Sequence, residues 1–408
     1  MNKLLLTNIG MLATPQGKTA KSGAEQGNIQ ILKDAWVLVE DGVIAQVGTG
    51  AAPEIADAKV VDAEGKLVTP GLVDAHTHLI FGGWRQNELG MKLHGKTYLE
   101  IQNAGGGIQS STNATRQATE EELTQKAAKA LDEMMSLGTT TVEAKSGYGL
   151  ATEHELKALQ VIKNLNDRHA MDIVPTFMGA HLVPKEYKEN RKEYIRLVCE
   201  EMMPLVAKQG IAKFNDVFCE ADTFDVDEAR QVLEAGLKYG LRPKIHADEI
   251  EAIGGSVLAG ELGAISAEHL IVCPPEGIES LAKGGVIACL LPATSFNLGA
   301  TFAPARDMVN AGVPVAMATD FNPGSCPCLN LQFVINLGCL KYRLTPEEVL
   351  TAVTLNGAAA IDMADKVGSV EVGKQGDLVI WDAPDLDYIC YRLGSNLVKT
   401  VIKRGEVI

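Results

Sequence analysis

No stretch of this 408-residue sequence approaches the ~18 consecutive apolar residues that a membrane-crossing helix requires. The first apolar run, Leu4-Leu5-Leu6, stops at Thr7-Asn8. It is too short for the apolar segment of an export signal and is expected to be a first strand. Positive charge is scarce: 37 Lys+Arg stand against 52 Asp+Glu, a formal net charge of −15. Such a chain lacks the basic face that nucleic acid or an anionic bilayer demands, so neither is an expected partner. One local cation gripping an acidic small molecule stays compatible with that balance. The 8 cysteines are scattered between Cys199 and Cys390, without the dense spacing of a secreted disulfide framework. Cys326-Pro327-Cys328 is a C-x-C and not a C-x-x-C redox pair. Reduced, mostly buried thiols in a cytoplasmic protein are the expectation. Low-complexity tracts and repeats of solenoid length are missing too.

What is there is an ordinary folding composition, 46% hydrophobic and 22% charged, far from that of a disordered chain. The length suffices for a large core without disulfide staples, and 40 glycines suit many tight strand-to-helix turns. Both ends read as β structure. Ala35–Glu40 and Val43–Gly48 flank Asp41-Gly42, the signal of a two-residue hairpin turn. Gly368–Trp381 and Val398–Ile408 alternate and turn on glycines in the same manner. The middle alternates short apolar runs with amphipathic segments. The runs are Leu67–Leu79, Thr139–Lys145, Ile173–His181, Lys213–Glu220, Pro243–His246, Ala264–His269, Val286–Pro292 and Val313–Asp320. Between the first two, Glu120–Leu137 carries Leu123, Ala127, Ala130, Leu131 and Met134 at helical spacing. The expected fold is a distorted (β/α)8 barrel, residues 68–363, inserted into a small β-sandwich built from residues 1–67 and 364–408.

In such a barrel, working side chains belong at the C-terminal ends of the strands. The runs end in Asp74-Ala75-His76-Thr77-His78, in His181, in Glu220, in His246-Ala247-Asp248-Glu249, in Glu268-His269 and in Thr319-Asp320. Five of the 8 histidines therefore fall at strand ends; His94, His154 and His169 do not and read as ordinary loop or surface residues. His76 and His78, two residues apart on a strand, face the same way. With His246 and Asp320 they make three nitrogens and one oxygen, a donor set suited to Zn, Fe or Mn with room for a water. Glu249, just beyond His246, is placed to take that water's proton and hand it to a leaving nitrogen. His269, one strand further on, is placed to polarise a substrate carbonyl.

The segment Pro70-Gly71-Leu72-Val73-Asp74-Ala75-His76-Thr77-His78 strongly resembles the opening motif of the amidohydrolase superfamily. The pattern of that superfamily is H-x-H on the first strand, His on the fifth and sixth and Asp on the eighth. It is met at His76, His78, His246, His269 and Asp320. His78–Glu88, Lys145–Leu150 and Thr319–Ser325 are similar to the branch that opens a ring in histidine degradation. The resemblance implies one Zn or Fe per subunit. The carboxylated lysine that two-metal members carry at the fourth strand end has Glu220 in its place, and the His246–Glu249 run looks like that of one-metal members. It further implies hydrolysis of a cyclic amide, 4-imidazolone-5-propanoate, to N-formimidoyl-L-glutamate, in an enzyme that forms a homodimer. Arg85 then becomes the bidentate partner of the substrate carboxylate, and Tyr148 a flat face with a hydroxyl. Substrate contacts are implied at His181, Glu249, Asn322, Gly324 and Ser325, the glycine admitting close backbone approach. Two other readings stay open: a nucleobase deaminase with the same metal set, which would release ammonia, and a non-catalytic scaffold of the collapsin-response type, which would lack bound metal.

Overall fold

The computed structural model describes residues 2–96, 100 and 104–408. Strands β1 (Lys3–Thr14), β2 (Gln30–Glu40), β3 (Val43–Thr49), β4 (Lys59–Asp62) and β5 (Leu67–Pro70) open the chain. The barrel strands are β6 (Leu72–Asp74), β7 (Thr139–Lys145), β8 (Asp172–Ala180), β9 (Phe214–Cys219), β10 (Arg242–Ala247), β11 (Ser266–His269), β12 (Ile287–Leu290) and β13 (Val315–Met317). Strands β14 (Leu378–Trp381), β15 (Val398–Lys403) and β16 (Glu406–Val407) close it.

The terminal strands form one continuous sheet in the order β16-β15-β14-β5-β1-β2-β3, with β4 also paired to β1. Val37 and Ile44 from one limb share an apolar core with Leu378 and Ile402 from the other, so the sheet folds over on itself. The Asp41-Gly42 turn joins Glu40 to Val43 with both turn residues at positive φ, as the hairpin signal requires.

The run predicted as one strand over Leu67–Leu79 is divided, and this corrects the sequence reading. Leu67–Pro70 pairs with β1 and β14, whereas Leu72–Asp74 pairs with β7 in the barrel. Gly71 makes the transfer. Its N–H donates to Asp377 O at 2.9 Å, and a Cβ there would collide with the Thr140 side chain. The hydrophobic pattern runs on through the break because both flanking segments are buried, so no polar residue marks it.

Strands β6 to β13 lie in sequence order as an eight-stranded parallel sheet. Its two edges meet beyond the ends of β6 and β13. Asp320 N–H donates to His76 O at 3.0 Å, His78 N–H donates to Phe321 O at 2.9 Å, and Thr77 bridges Phe321. Below this seam the Asp74 carboxylate accepts from Thr319 N–H (3.0 Å) and Thr319 Oγ1 (2.6 Å). Helices cover the barrel outside. The helix predicted around Glu120–Leu137 runs Glu120–Ser136 behind a Thr119/Glu122 capping box, and it buries Leu123, Ala127, Leu131 and Met134 together with Met135. Ala130 is only partly buried.

Candidate active site

Every predicted ligand lies at the mouth where the seam closes. His76 and His78 follow β6, His246 is the penultimate residue of β10 and Asp320 follows β13. Three side-chain hydrogen bonds aim them. Glu268 takes His76 Nδ1 at 2.8 Å, and Asp216 takes His246 Nδ1 at 3.0 Å. A carboxylate at Nδ1 holds the proton there and leaves Nε2 as a lone pair. Thr294 Oγ1 donates to Asp320 Oδ2 at 2.6 Å and leaves Oδ1 over. The remaining atoms converge: His78 Nε2 lies 3.3 Å from His246 Nε2, and Asp320 Oδ1 lies 3.5 Å from both His76 Nε2 and His78 Nε2. His76 Nε2 and Asp320 Oδ1 are buried with no hydrogen-bond partner. Lone pairs facing one another without a proton between them repel. The spacing suits ligands ~2.1 Å from one shared cation, so the residues fit a metal ion. Burial, then the Lys145 charge and neighbouring imidazoles, hold His76 well below the ordinary histidine pKa. Burial does the same to His78, and both rings are kept in the neutral form that coordinates metal.

The backbone is strained where these side chains leave their strands. Asp248, His269, Leu270 and Asp320 have φ between 52° and 68°, a left-handed conformation that costs a residue with a Cβ ~1 kcal/mol or more. These residues fall at or just past the ends of β10, β11 and β13.

Above the donor cluster lies a cavity of about 340 Å³, large enough for a small ring with a short tail. Arg85, Tyr148, His181, Glu249, His269, Asn322, Gly324 and Ser325 all line it, with Ile108, Phe218 and Leu298 as apolar wall. Glu249 is half-buried, and its Oε1 is 3.6 Å from His269 Nδ1. Burial first, then the anions Asp320 and Glu220, push its carboxyl up to about 8. His269 also comes within ligand range of His76 and Asp320, and burial holds its ring well below the ordinary histidine pKa. His181 stacks on His78 with centroids 4.9 Å apart, and its Nδ1 donates to Gly147 O at 3.0 Å.

Buried carboxylates hold the loops that carry these groups, and the sequence reading missed most of them. Glu88 grips Arg85 through two bonds, Nε at 2.8 Å and Nη2 at 2.9 Å, and also accepts from Gly107 N–H. Glu155 accepts from the N–H groups of Gly147, Gly149 and Leu150, fixing the turn that presents Tyr148. Glu220 accepts from the N–H groups of Glu249, Ile250 and Glu251 at 2.8–3.0 Å. Asn322 spends its amide inside its own loop. Nδ2 donates to Asp320 O and Ser325 Oγ, and Oδ1 accepts from Gly324, Ser325 and Cys326 N–H. Gly324 leaves room for protein rather than ligand, since a Cβ there would strike Arg85 Nη1. His94, His154 and His169 stay away from the mouth; His154 lies in the helix Thr152–Asn166 and not in a loop.

A model of the amidohydrolase family matches residues 67–408. An imidazolonepropionase of Alkaliphilus metalliredigens (strain QYMF) is 50% identical, with 100% of this chain and 98% of the relative aligned. One from Brevibacillus brevis is 51% identical over 99% of this chain and 97% of its own. Among solved structures, a triazine hydrolase from Arthobacter aurescens superposes with a TM-score of 0.74 at 17% identity, covering 100% of this chain and 94% of that one. A guanine deaminase from C. acetobutylicum gives 0.71 at 18% identity with 100% of each chain covered. At such low identity these two structures bear on the fold alone.

Proposed function

The chain belongs to the amidohydrolase family and, within it, to the imidazolonepropionases, and from that premise we propose how its residues divide the hydrolysis of 4-imidazolone-5-propanoate to N-formimidoyl-L-glutamate. The observation that carries the proposal is the convergence of His76 Nε2, His78 Nε2, His246 Nε2 and Asp320 Oδ1 beneath a cavity that Arg85 lines. Those four atoms would hold one Zn or Fe ion. When bound, the ion supplies a Lewis acid and lowers the pKa of water toward neutrality.

Glu249 accepts the proton of the attacking water. It lines the cavity beside His269, placed both to accept that proton and to return it. Oxygen bonds to the ring carbonyl carbon, and the carbonyl π electrons move onto oxygen, where His269 donates a hydrogen bond. As the carbonyl re-forms, the C–N bond breaks, and Glu249 returns its proton to the departing nitrogen. Asp320 assists as a ligand whose second oxygen is fixed by Thr294. Arg85 offers the substrate carboxylate the edge of its guanidinium that Glu88 leaves over, and the Glu88 grip pre-sets its angle. Tyr148 and His181 wall the ring. Asn322, Gly324 and Ser325 act by shaping the loop beside Arg85.

The terminal unit expected over residues 1–67 and 364–408 extends through Pro70, because Val68, Thr69 and Pro70 pair with β1 and β14; we divide the chain there, with the barrel over residues 71–363. Cytoplasmic location is the reading consistent with eight free cysteines, of which Cys219, Cys273, Cys289, Cys326 and Cys390 are buried. The deciding experiment is anaerobic turnover of 4-imidazolone-5-propanoate with metal analysis of the same sample. Ring opening without ammonia release, at one ion per chain, supports the proposal; ammonia release or turnover without metal overturns it.

A further inference from the structure

Beneath the donor cluster, five ionisable side chains fill the barrel interior, each fully buried: Glu143, Lys145, Asp216, Lys244 and Glu268. They form an unbroken chain between two of the metal-donor histidines. From His76 Nδ1 it passes to Glu268 (2.8 Å), to Lys244 (3.4 Å) and to Glu143 (3.3 Å). From Glu143 it continues to Lys145 (2.8 Å), to Asp216 (2.8 Å) and to His246 Nδ1 (3.0 Å). Glu143 stands at the midpoint and touches both lysines. Thr176 Oγ1 donates to it at 2.6 Å, Ser266 Oγ donates to Glu268, and Lys244 also donates to Ala360 O at 3.1 Å.

Taking five charges out of water is expensive, and well-packed apolar residues of equal volume commonly give a more stable core. The arrangement therefore calls for a use other than stability, and its two ends name one. Each end is the carboxylate that fixes the tautomer and angle of a metal-donor imidazole. The chain carries one more negative than positive charge, and Asp320 adds a second, which a divalent ion at the mouth balances.

We propose that Glu143 is a positioning residue for the metal centre: by holding Lys145 and Lys244 together it locks Asp216 and Glu268, and through them His246 and His76, into one rigid unit. A ligand held this way cannot swing out while its neighbour stays, so the ion leaves only when the whole unit gives. The inference rests on the metal-donor reading above. It adds a residue that touches neither substrate nor ion.

The test measures ion release. Full-length protein loaded with Zn is mixed with a chromophoric chelator and the off-rate followed, with far-UV circular dichroism as a folding check and the visible spectrum of Co-loaded protein as a report on the donor geometry. Glu143→Gln is expected to release the ion ~10-fold faster, in the range of outer-shell substitutions, and to alter the Co spectrum. Thr176→Val, which removes one hydrogen bond to Glu143, is expected to act in the same direction by ~3-fold. Asp216→Asn and Glu268→Gln are expected to combine to less than the product of their separate effects, because either one already breaks the unit, and to become multiplicative when Glu143→Gln is added. Asp377→Asn, in a buried ion cluster elsewhere, is expected to leave the off-rate unchanged. A folded Glu143→Gln protein with the wild-type off-rate overturns the proposal, as do multiplicative Asp216 and Glu268 effects in the wild-type background. If Glu143→Gln does not fold, an unchanged off-rate in Thr176→Val overturns it instead. A wild-type protein that holds no ion sinks the metal-donor reading itself, a different result from an ion held but released at an unchanged rate.

Discussion

Lys403 lies 2.7 Å from Asp172 and 2.6 Å from Asp377, buried where the last strands of the terminal sheet meet the start of β8. Arg404 N–H adds a bond to Asp377 at 2.9 Å, and its guanidinium reaches Asp172, so both carboxylates of the cluster are engaged. The charge chain inside the barrel is assembled from the same residue types at similar distances, yet it ends differently. Past its carboxylates come imidazoles, and beyond them His76 Nε2 and Asp320 Oδ1 have no hydrogen-bond partner. One cluster is closed and works as a joint. The other keeps valence in reserve for something the chain does not supply. Burial and ion pairing alone do not separate structure from function; the unspent donor at the end of the network does.

The largest way to break this contrast is at the open end. His78→Ala or Asp320→Asn should lose the ion and with it several kcal/mol of transition-state stabilisation, a fall in kcat on the order of 10⁴-fold, read alongside metal content. Retained turnover in a metal-free sample would contradict it. Glu249→Gln comes next: kcat should fall ~10³-fold with the ion still bound. Its pH profile sharpens the point. Glu249 must be ionised to accept a proton, so wild-type kcat/KM should rise with pH through its pKa. That pKa is raised by burial and by the Asp320 and Glu220 anions, while a bound cation pulls it down. The acidic limb should vanish in the variant, and a limb that persists assigns it to another group.

The closed end should respond in stability and not in rate. Lys403→Met leaves Asp377 buried without a cation and Asp172 with Arg404 alone, so urea denaturation should show ~3 kcal/mol less unfolding free energy, with kcat changed less than ~2-fold. If turnover instead falls and metal is lost, the two clusters are not separate. The smallest effect belongs to Arg85→Lys, which keeps the charge and loses the planar fork. KM should rise ~10-fold, about 1.4 kcal/mol, at nearly constant kcat; an unchanged KM means the carboxylate is anchored elsewhere.

The convergence of these side chains at one mouth was legible because barrel chemistry places polar residues where apolar runs stop, and His76-x-His78, His246 and Asp320 stand at such stops. The charge chain is not legible as a chain, although it leaves a trace. Glu143 and Lys145 sit two apart on β7, Lys244 sits two before His246 on β10, and Asp216 interrupts β9. A charge buried inside a barrel strand has to find a partner in the interior. The partner itself is invisible in one dimension, because the residues that meet come from β7, β9, β10 and β11. The carboxylates under the loops were hidden for another reason: Glu88, Glu155 and Glu220 look like any surface acid until the backbone N–H groups they collect are seen. Part of the acidic composition is therefore interior scaffolding, and the break at Gly71 gave no warning because both sides of it are buried.

The seam between Asp74 and Thr319 joins segments 245 residues apart in sequence, and the donors His76, His78 and Asp320 lie directly on it. The consequence is one of timing. On the ribosome, the first histidines emerge long before the aspartate that completes their set. A contact of such separation is among the slowest to form. The nascent chain therefore holds an incomplete cluster until its last barrel strand docks, and on the function proposed above ion capture waits for the barrel to close.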